Sequence, residues 1–316
     1  MAKIFVTRQI APEALDLITA QADVRLWEED RPIPRDVLLR EVTDVDGLLT
    51  MLTDRIDGEL LDAAPNLKVV SNMAVGYDNI DVPACRARGV AVGNTPDVLT
   101  EATADLAWAL LLSAARRLPE GERYVARGQW KTWSPSLLLG TDVYGKTLGI
   151  IGLGRIGAAV ARRAVGFAMS VLYHGGKESF AHETGARACP LDDLLRASDF
   201  VSLHLPLKPE THHLIGAREL ALMKSTAVLV NTARGGIVDP AALYEALAER
   251  RIMGASLDVT EPEPIPMESP LLTLDNCLII PHIGSATVET RAQMALLAAR
   301  NLLAGVRGEP LPHAVG

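Results

Sequence analysis

The sequence predicts an α/β protein made of two parallel sheets covered by helices. Three observations point there. Short apolar runs alternate with helical patterns from the first residues onward. An Ala/Leu-rich helix at 99–118 interrupts the alternation, and a second strand–helix series starts at Thr147. The length of 316 residues divides into about two domains of ~150 residues.

The elements follow in order. Ile4, Phe5 and Val6 read as a strand, and 12–21 as a helix with Ala14, Leu17 and Ile18 on one face. Strands at 24–27, 47–51, 67–70 and 90–92 alternate with helical segments at 34–42, 60–64 and 83–88. The long helix 99–118 is followed by a segment from Tyr124 to Trp130 and an irregular stretch at 131–144. The second series has strands at 148–152, 170–173, 200–205, 227–231, 254–258 and 278–281, and a closing helix at 288–304. The long helices bracket the second series. The expected organisation is therefore an inserted domain, 99–285, within a discontinuous domain of 1–98 and 286–316.

Composition narrows the function classes. Lysine plus arginine number 31 against 39 acids, a net charge of −8, which disfavours a nucleic-acid or acidic-membrane binder. Aromatics are 4%, too few for a base-stacking surface. Cys85, Cys189 and Cys277 are far apart and form no metal-ligand spacing, so they read as small buried hydrophobes and no metal site is expected. No basic-then-apolar leader opens the chain, and no uncharged apolar stretch reaches the ~18 residues of a membrane span. A reducing cytoplasm fits these features.

The apolar run Leu148-Gly-Ile-Ile leads into Gly152-Leu153-Gly154-Arg155-Ile156-Gly157 and a helical stretch. In a strand–GxGxxG–helix unit the first glycine makes the turn. The second admits a pyrophosphate, and the third lets helix and strand pack. The helix N-terminus then offers N–H groups and a positive dipole end. These features predict a Rossmann-like dinucleotide domain, beside a second, flavodoxin-like parallel domain. An acid ~20 residues downstream would bind the NAD ribose. Here the next strand runs Val171-Leu172-Tyr173 into His174, Gly175, Gly176 and Lys177, with no acid before Glu178, which favours NADP(H) over NAD(H).

Further motifs are Ser202-Leu-His204-Leu205-Pro206, Asn231-Thr232-Ala233-Arg234-Gly-Gly-Ile-Val-Asp239, Asp258-Val-Thr-Glu-Pro-Glu263 and Pro281-His282-Ile-Gly284-Ser285. Together with the glycine turn they make the whole chain resemble the D-2-hydroxyacid dehydrogenases. The runs at 48–57, Met73-Ala-Val75-Gly76-Tyr-Asp-Asn79 and Trp130-Lys-Thr-Trp133 resemble the glyoxylate/hydroxypyruvate reductase branch. The resemblance implies NAD(P)H-dependent reduction of small 2-keto acids in a cleft between the domains, by a homodimer.

The chemistry of such a reaction fits the residues. A 2-keto acid needs a cation for its carboxylate, a proton donor for its carbonyl oxygen, and a hydride beside the carbon. Arg234 offers a planar fork of donors. A carboxylate beside a histidine favours the imidazolium and fixes the tautomer, so a Glu263–His282 pair can act as an acid. By resemblance Arg234, Glu263 and His282 are catalytic. Val75 and Gly76 give backbone N–H groups to the substrate, with Arg234, Ser285 and Trp133 beside it. The cofactor set is Gly152, Leu153, Gly154, Arg155, Ile156, Gly157, His174, Gly175, Lys177, Leu205, Pro206, Thr211, Thr232, Ala233, Arg234, Asp258, His282 and Gly284.

Each residue alone also fits a bland role: Arg234 a surface cation, Glu263 a solvated loop charge, His282 a satisfied core histidine. Their coincidence at successive strand ends favours catalysis. His204, placed within a strand, reads as structural or cofactor-adjacent. His174, His182, His212, His213 and His313 read as surface residues, with His174 near the cofactor. Trp130 and Trp133 either pack at a helix end or form an arm reaching a partner's site. Other readings are a reductase of a different 2-keto acid, a 3-phosphoglycerate dehydrogenase, or an NAD(H)-sensing corepressor.

Overall fold

The computed structural model describes all 316 residues. The chain divides into two compact units, Met1–Leu99 with Ser285–Gly316, and Thr100–Gly284. In chain order the first unit comprises β1 (Ala2–Val6), α1 (Pro12–Thr19), β2 (Ala22–Leu26), α2 (Arg35–Glu41), β3 (Gly47–Thr50), α3 (Gly58–Ala63), β4 (Val69–Asn72), α4 (Val82–Ala87) and β5 (Ala91–Gly93). The second opens with α5 (Thr100–Ala115), α6 (Leu118–Ala126), β6 (Thr147–Leu153), α7 (Arg155–Ala164), β7 (Ser170–Gly176), α8 (Glu178–Thr184) and β8 (Arg187–Ala188). It continues with α9 (Leu191–Ala197), β9 (Phe200–Leu203), α10 (Ala217–Leu222), β10 (Val228–Asn231), α11 (Pro240–Ala248), β11 (Gly254–Leu257) and β12 (Cys277–Ile279). Helix α12 (Val288–Val306) returns to the first unit.

Both sheets are wholly parallel, as the fold class read from the sequence requires. The first has the order β2-β1-β3-β4-β5 and the second β12-β11-β10-β9-β6-β7-β8. Helices cover the sheets, so central strands are buried on both faces; Val228, Leu229, Val230 and Asn231 of β10 are all buried. In the first unit α12 supplies much of that cover. A Cβ on Gly47 would lie 2.9 Å from Leu302, and one on Gly305 would lie 2.5 Å from Val69, so glycine at both places lets the helix sit close on β3 and β4. Asn301 donates to the Asn94 carbonyl at 2.8 Å and accepts from the His313 N–H at 2.9 Å, fixing the far end.

Several boundaries differ from the sequence reading. The helix expected at 99–118 ends at Ala115, and the segment expected from Tyr124 begins earlier, as α6 at Leu118, because Arg117 adopts a left-handed conformation (φ 53°) and Pro119 occupies the first turn of α6. The Thr141 N–H takes the Ala115 carbonyl at the break, at 2.9 Å. Helix α6 ends at Ala126, so Trp130 and Trp133 lie beyond it rather than packing at its end, and they are 60% and 78% exposed. Strand β7 runs on to Gly176, pairing with Leu153, so His174 and Gly175 belong to the strand. Strand β9 stops at Leu203, where its neighbours β6 and β10 pair for the last time through Ile151 and Asn231. His204 therefore lies past the strand rather than within it. The two-residue β8 carries too little periodicity to be read from sequence, whereas the strand expected at 278–281 is present as β12, at Cys277–Ile279.

At the carboxyl ends of β1 and β3 one buried carboxylate gathers three donors. Asp54 accepts from the Thr7 and Thr50 hydroxyls and from the Met51 N–H. Replacing it with alanine leaves all three without that acceptor. Asp54→Ala should therefore lower stability by about 2–4 kcal/mol, read as a lower denaturant midpoint.

Candidate active site

The glycine turn joins β6 to α7 at the point where the strand order reverses. β9 and β7 flank β6, so the connections after β6 and β9 leave in opposite directions, the place where such sheets bind ligands. Gly152 has φ 96°, and a Cβ there would lie 2.7 Å from the His204 carbonyl oxygen. A Cβ on Gly157 would lie 2.4 Å from the Gly152 oxygen, so only glycine lets α7 start this close to β6. Gly154 caps α7 without any side-chain bond, and a Cβ there would meet no atom of the chain. Arg155, Ile156 and Gly157 form the first helical turn. Uncapped N–H groups, the helix dipole and an open approach at Gly154 fit a pyrophosphate.

The neighbouring segments complete this rim. β7 ends in Gly175 and Gly176, both in left-handed conformations, followed by exposed Lys177. The nearest acid in sequence is Glu178, the first residue of α8. His174 is half-buried rather than a surface residue, with Nδ1 3.2 Å from the Cys189 carbonyl. After β9, burial pushes the His204 imidazole well below the ordinary histidine range, and its Nε2 lies 2.8 Å from the Ser202 hydroxyl. The Leu205–Pro206 segment is closed into a loop by Thr211, whose hydroxyl donates to the Pro206 carbonyl at 2.8 Å. The Thr232 hydroxyl is buried and finds no partner within the chain. An orphaned hydroxyl and the open approach at Gly154 both fit a dinucleotide.

Adjacent strands β10, β11 and β12 deliver the polar trio. Arg234 follows β10; the Asn231 side chain holds its carbonyl at 2.8 Å, and its own guanidinium donates to the Ala233 carbonyl at 2.8 Å. A Cβ on Gly235 would lie 1.9 Å from the Thr260 oxygen, so the loops after β10 and β11 touch. Glu263 lies within the second loop. His282 follows β12, with Nδ1 2.6 Å from Glu263 Oε1. Burial pushes the Glu263 carboxyl up. The His282 bond and charge, the Thr260 N–H and the Arg234 charge outweigh it and hold the group below the ordinary glutamate range.

His282 is itself left-handed (φ 52°), an uncommon state for a side-chain-bearing residue. Asp258 over-determines it. This buried carboxylate accepts from the Ile283 N–H at 2.6 Å and the Gly284 N–H at 2.8 Å, while its carbonyl accepts from the His282 N–H at 2.9 Å. Burial raises the Asp258 carboxyl above the usual range, against the Ile283 bond, the His282 charge and the Gly284 bond.

The other expected substrate residues lie in the first unit. The Val75 and Gly76 carbonyls accept from Asn94 and Asn72, each at 2.8 Å. Because the peptide is planar and trans, the Gly76 N–H points opposite the Val75 carbonyl, away from Asn94. Ser285 opens the second segment of this unit. The sequence reading missed a cluster beside the trio: His212 and His213 both meet Glu261. Adjacent histidines and a glutamate 48 residues later have no recognisable spacing. His213 draws the Glu261 carboxyl down, against burial, and His212 adds to this.

The pattern of the D-isomer specific 2-hydroxyacid dehydrogenase, NAD binding domain, matches residues 108–284. A glyoxylate reductase of Korarchaeum cryptofilum is 53% identical over 316 residues, 99% of this chain and 95% of its own. That of Thermococcus kodakarensis is also 53% identical, over 99% and 96%. A crystal structure of a Thermus thermophilus protein is 47% identical with a TM-score of 0.94, over 99% of this chain and 100% of that one. An NADPH-dependent glyoxylate/hydroxypyruvate reductase of Sinorhizobium meliloti, in complex with NADP and malonate, is 35% identical with a TM-score of 0.85, over 100% and 97%. The chain belongs to the D-isomer specific 2-hydroxyacid dehydrogenases, nicotinamide-dependent oxidoreductases of small 2-hydroxy and 2-keto acids.

The glycine turn yields a test that separates binding from folding. Gly154→Ala places a methyl in space the chain does not fill, so the melting midpoint should stay near wild type. NADPH binding, followed by fluorescence titration, should weaken by about tenfold or more (~1.4 kcal/mol). Unchanged affinity would remove Gly154 from the cofactor site.

Proposed function

We propose that the protein reduces glyoxylate to glycolate and hydroxypyruvate to D-glycerate, with NADPH preferred to NADH. The observation that carries this reading is the 2.6 Å contact of His282 Nδ1 with Glu263, beside the loop that bears Arg234. With Nδ1–H turned to a carboxylate, Nε2 is the nitrogen left to face substrate. The curated relatives are glyoxylate reductases at about half identity over nearly the whole chain, which supports the substrate class.

Arg234 pairs its guanidinium with the substrate carboxylate, and the Val75–Gly76 backbone adds N–H groups to the same end. These contacts orient the ketone. The bound nicotinamide supplies the hydride. His282 donates a proton from Nε2 to the carbonyl oxygen as that oxygen gains charge, and Glu263, kept ionised, stabilises the imidazolium through a charge-assisted bond. Asp258 holds the His282 backbone, and the buried Thr232 hydroxyl would help hold the nicotinamide. Gly152, Gly154 and Gly157, with the start of α7, cradle the pyrophosphate. Lys177 and the acid-free end of β7 take the 2′-phosphate. The NADPH dependence of the Sinorhizobium relative supports that choice.

The active species is a homodimer. Exposed Trp130, Trp133 and Leu139 on the irregular segment after α6 support it, being large apolar side chains that a partner would cover. Trp133 would reach the partner's substrate. The three cysteines are free thiols, which suits a cytoplasmic setting.

Oxidation of NADPH on adding glyoxylate is the direct test. No turnover with any small 2-keto acid overturns the reading, and equal kcat/KM with NADH removes the cofactor preference. His282→Gln should lower kcat by about 10²–10⁴-fold while NADPH binding persists. Sedimentation should give twice the chain mass; a monomer at assay concentration rules out the dimer.

A further inference from the structure

Outside the candidate active site, two imidazoles and a carboxylate converge at one point. His212 Nε2 lies 3.1 Å from Glu261 Oε1, and His213 Nε2 lies 2.6 Å from Glu261 Oε2. One possible ligand atom from each residue falls within 4.8 Å of the others. Neighbouring residues in an extended chain point to opposite faces. Here His213 is left-handed (φ 51°), and the two rings stack with centroids 3.9 Å apart and planes 21° from parallel. The backbone thus takes on conformational strain to aim both Nε2 atoms the same way. The third side is kept clear by Gly236, whose Cβ would lie 3.0 Å from Glu261 Oε1 and 3.4 Å from His212 Cδ2. The side chains are 48%, 36% and 36% exposed, so the point they share is open to solvent.

We infer that His212, His213 and Glu261 form a binding site for a borderline-soft divalent cation such as Zn²⁺. Two nitrogens and one carboxylate oxygen match the donor preference of zinc, nickel and cobalt, whereas magnesium and calcium call for an all-oxygen shell. Water completes the coordination on the open side. Each imidazole would bind the ion through Nε2, the atom that now faces Glu261. The ion would join the turn that follows Thr211 to the loop that carries Glu263, two segments otherwise linked here by hydrogen bonds alone.

Calorimetric titration of the metal-stripped full chain with ZnCl₂ tests the site. One equivalent should bind, with no comparable uptake of MgCl₂. His212→Ala and His213→Ala should each weaken binding by about tenfold or more. His282→Gln, which removes the His282–Glu263 pair, should leave it intact. Co²⁺ in the wild-type chain should give ligand-field bands without thiolate charge transfer, which keeps the test independent of variant folding. No zinc uptake overturns the proposal, as does affinity undiminished in both alanine variants, loss confined to His282→Gln, or a thiolate band.

Discussion

A buried carboxylate that accepts two consecutive backbone N–H groups fixes a turn more tightly than ladder bonds can, because it constrains both peptide planes at once. Asp258 does this to Ile283 and Gly284. The chain leaving β12 is thereby forced into a left-handed residue at His282, whose ring then meets Glu263. Had the turn relaxed, the imidazole would swing away from a carboxylate carried on a different loop. The contact between Gly235 and Thr260 keeps that loop in register with the one bearing Arg234. Three polar side chains from separate connections are thus placed by backbone interactions, with the His282–Glu263 bond joining two of them. Such support suits a site whose own charges must remain available to a substrate.

Much of this was legible because strand ends are legible. The periodicity of β10, β11 and β12 placed Arg234, Glu263 and His282 at neighbouring ends of one sheet, and GxGxxG after an apolar strand named the turn at Gly152. Other features left no trace in the pattern. The break at Arg117 depends on a backbone conformation that arginine does not advertise. The extension of β7 through Gly175 and Gly176 rests on two glycines that ordinarily signal a turn. The convergence of His212 and His213 on Glu261 needs two connections to meet and one residue to turn left-handed, neither of which spacing encodes.

The two halves of the molecule use one architecture to different ends. In the second unit the carboxyl edge of the sheet carries free N–H groups and ionisable side chains. In the first it carries amides: Asn72 and Asn94 pin carbonyls, and the Asp54 carboxylate is taken up by hydroxyls and one N–H. Such an edge presents backbone groups at positions that the amide side chains fix. In a chain of net charge −8, anions must be met by local donors rather than by the overall field.

The place of α12 has a consequence for how the chain comes to be folded. Ser71 bonds to the Ala298 carbonyl, 227 residues away, and β3 and β4 rest on the same helix. During synthesis the amino-terminal strands emerge first, yet the cover for one face of their sheet emerges last. The intervening unit is continuous in sequence and can close while the earlier strands still wait. The amino-terminal strands, although made before this helix, would then be among the last to reach their final packing, with their apolar face open in the meantime.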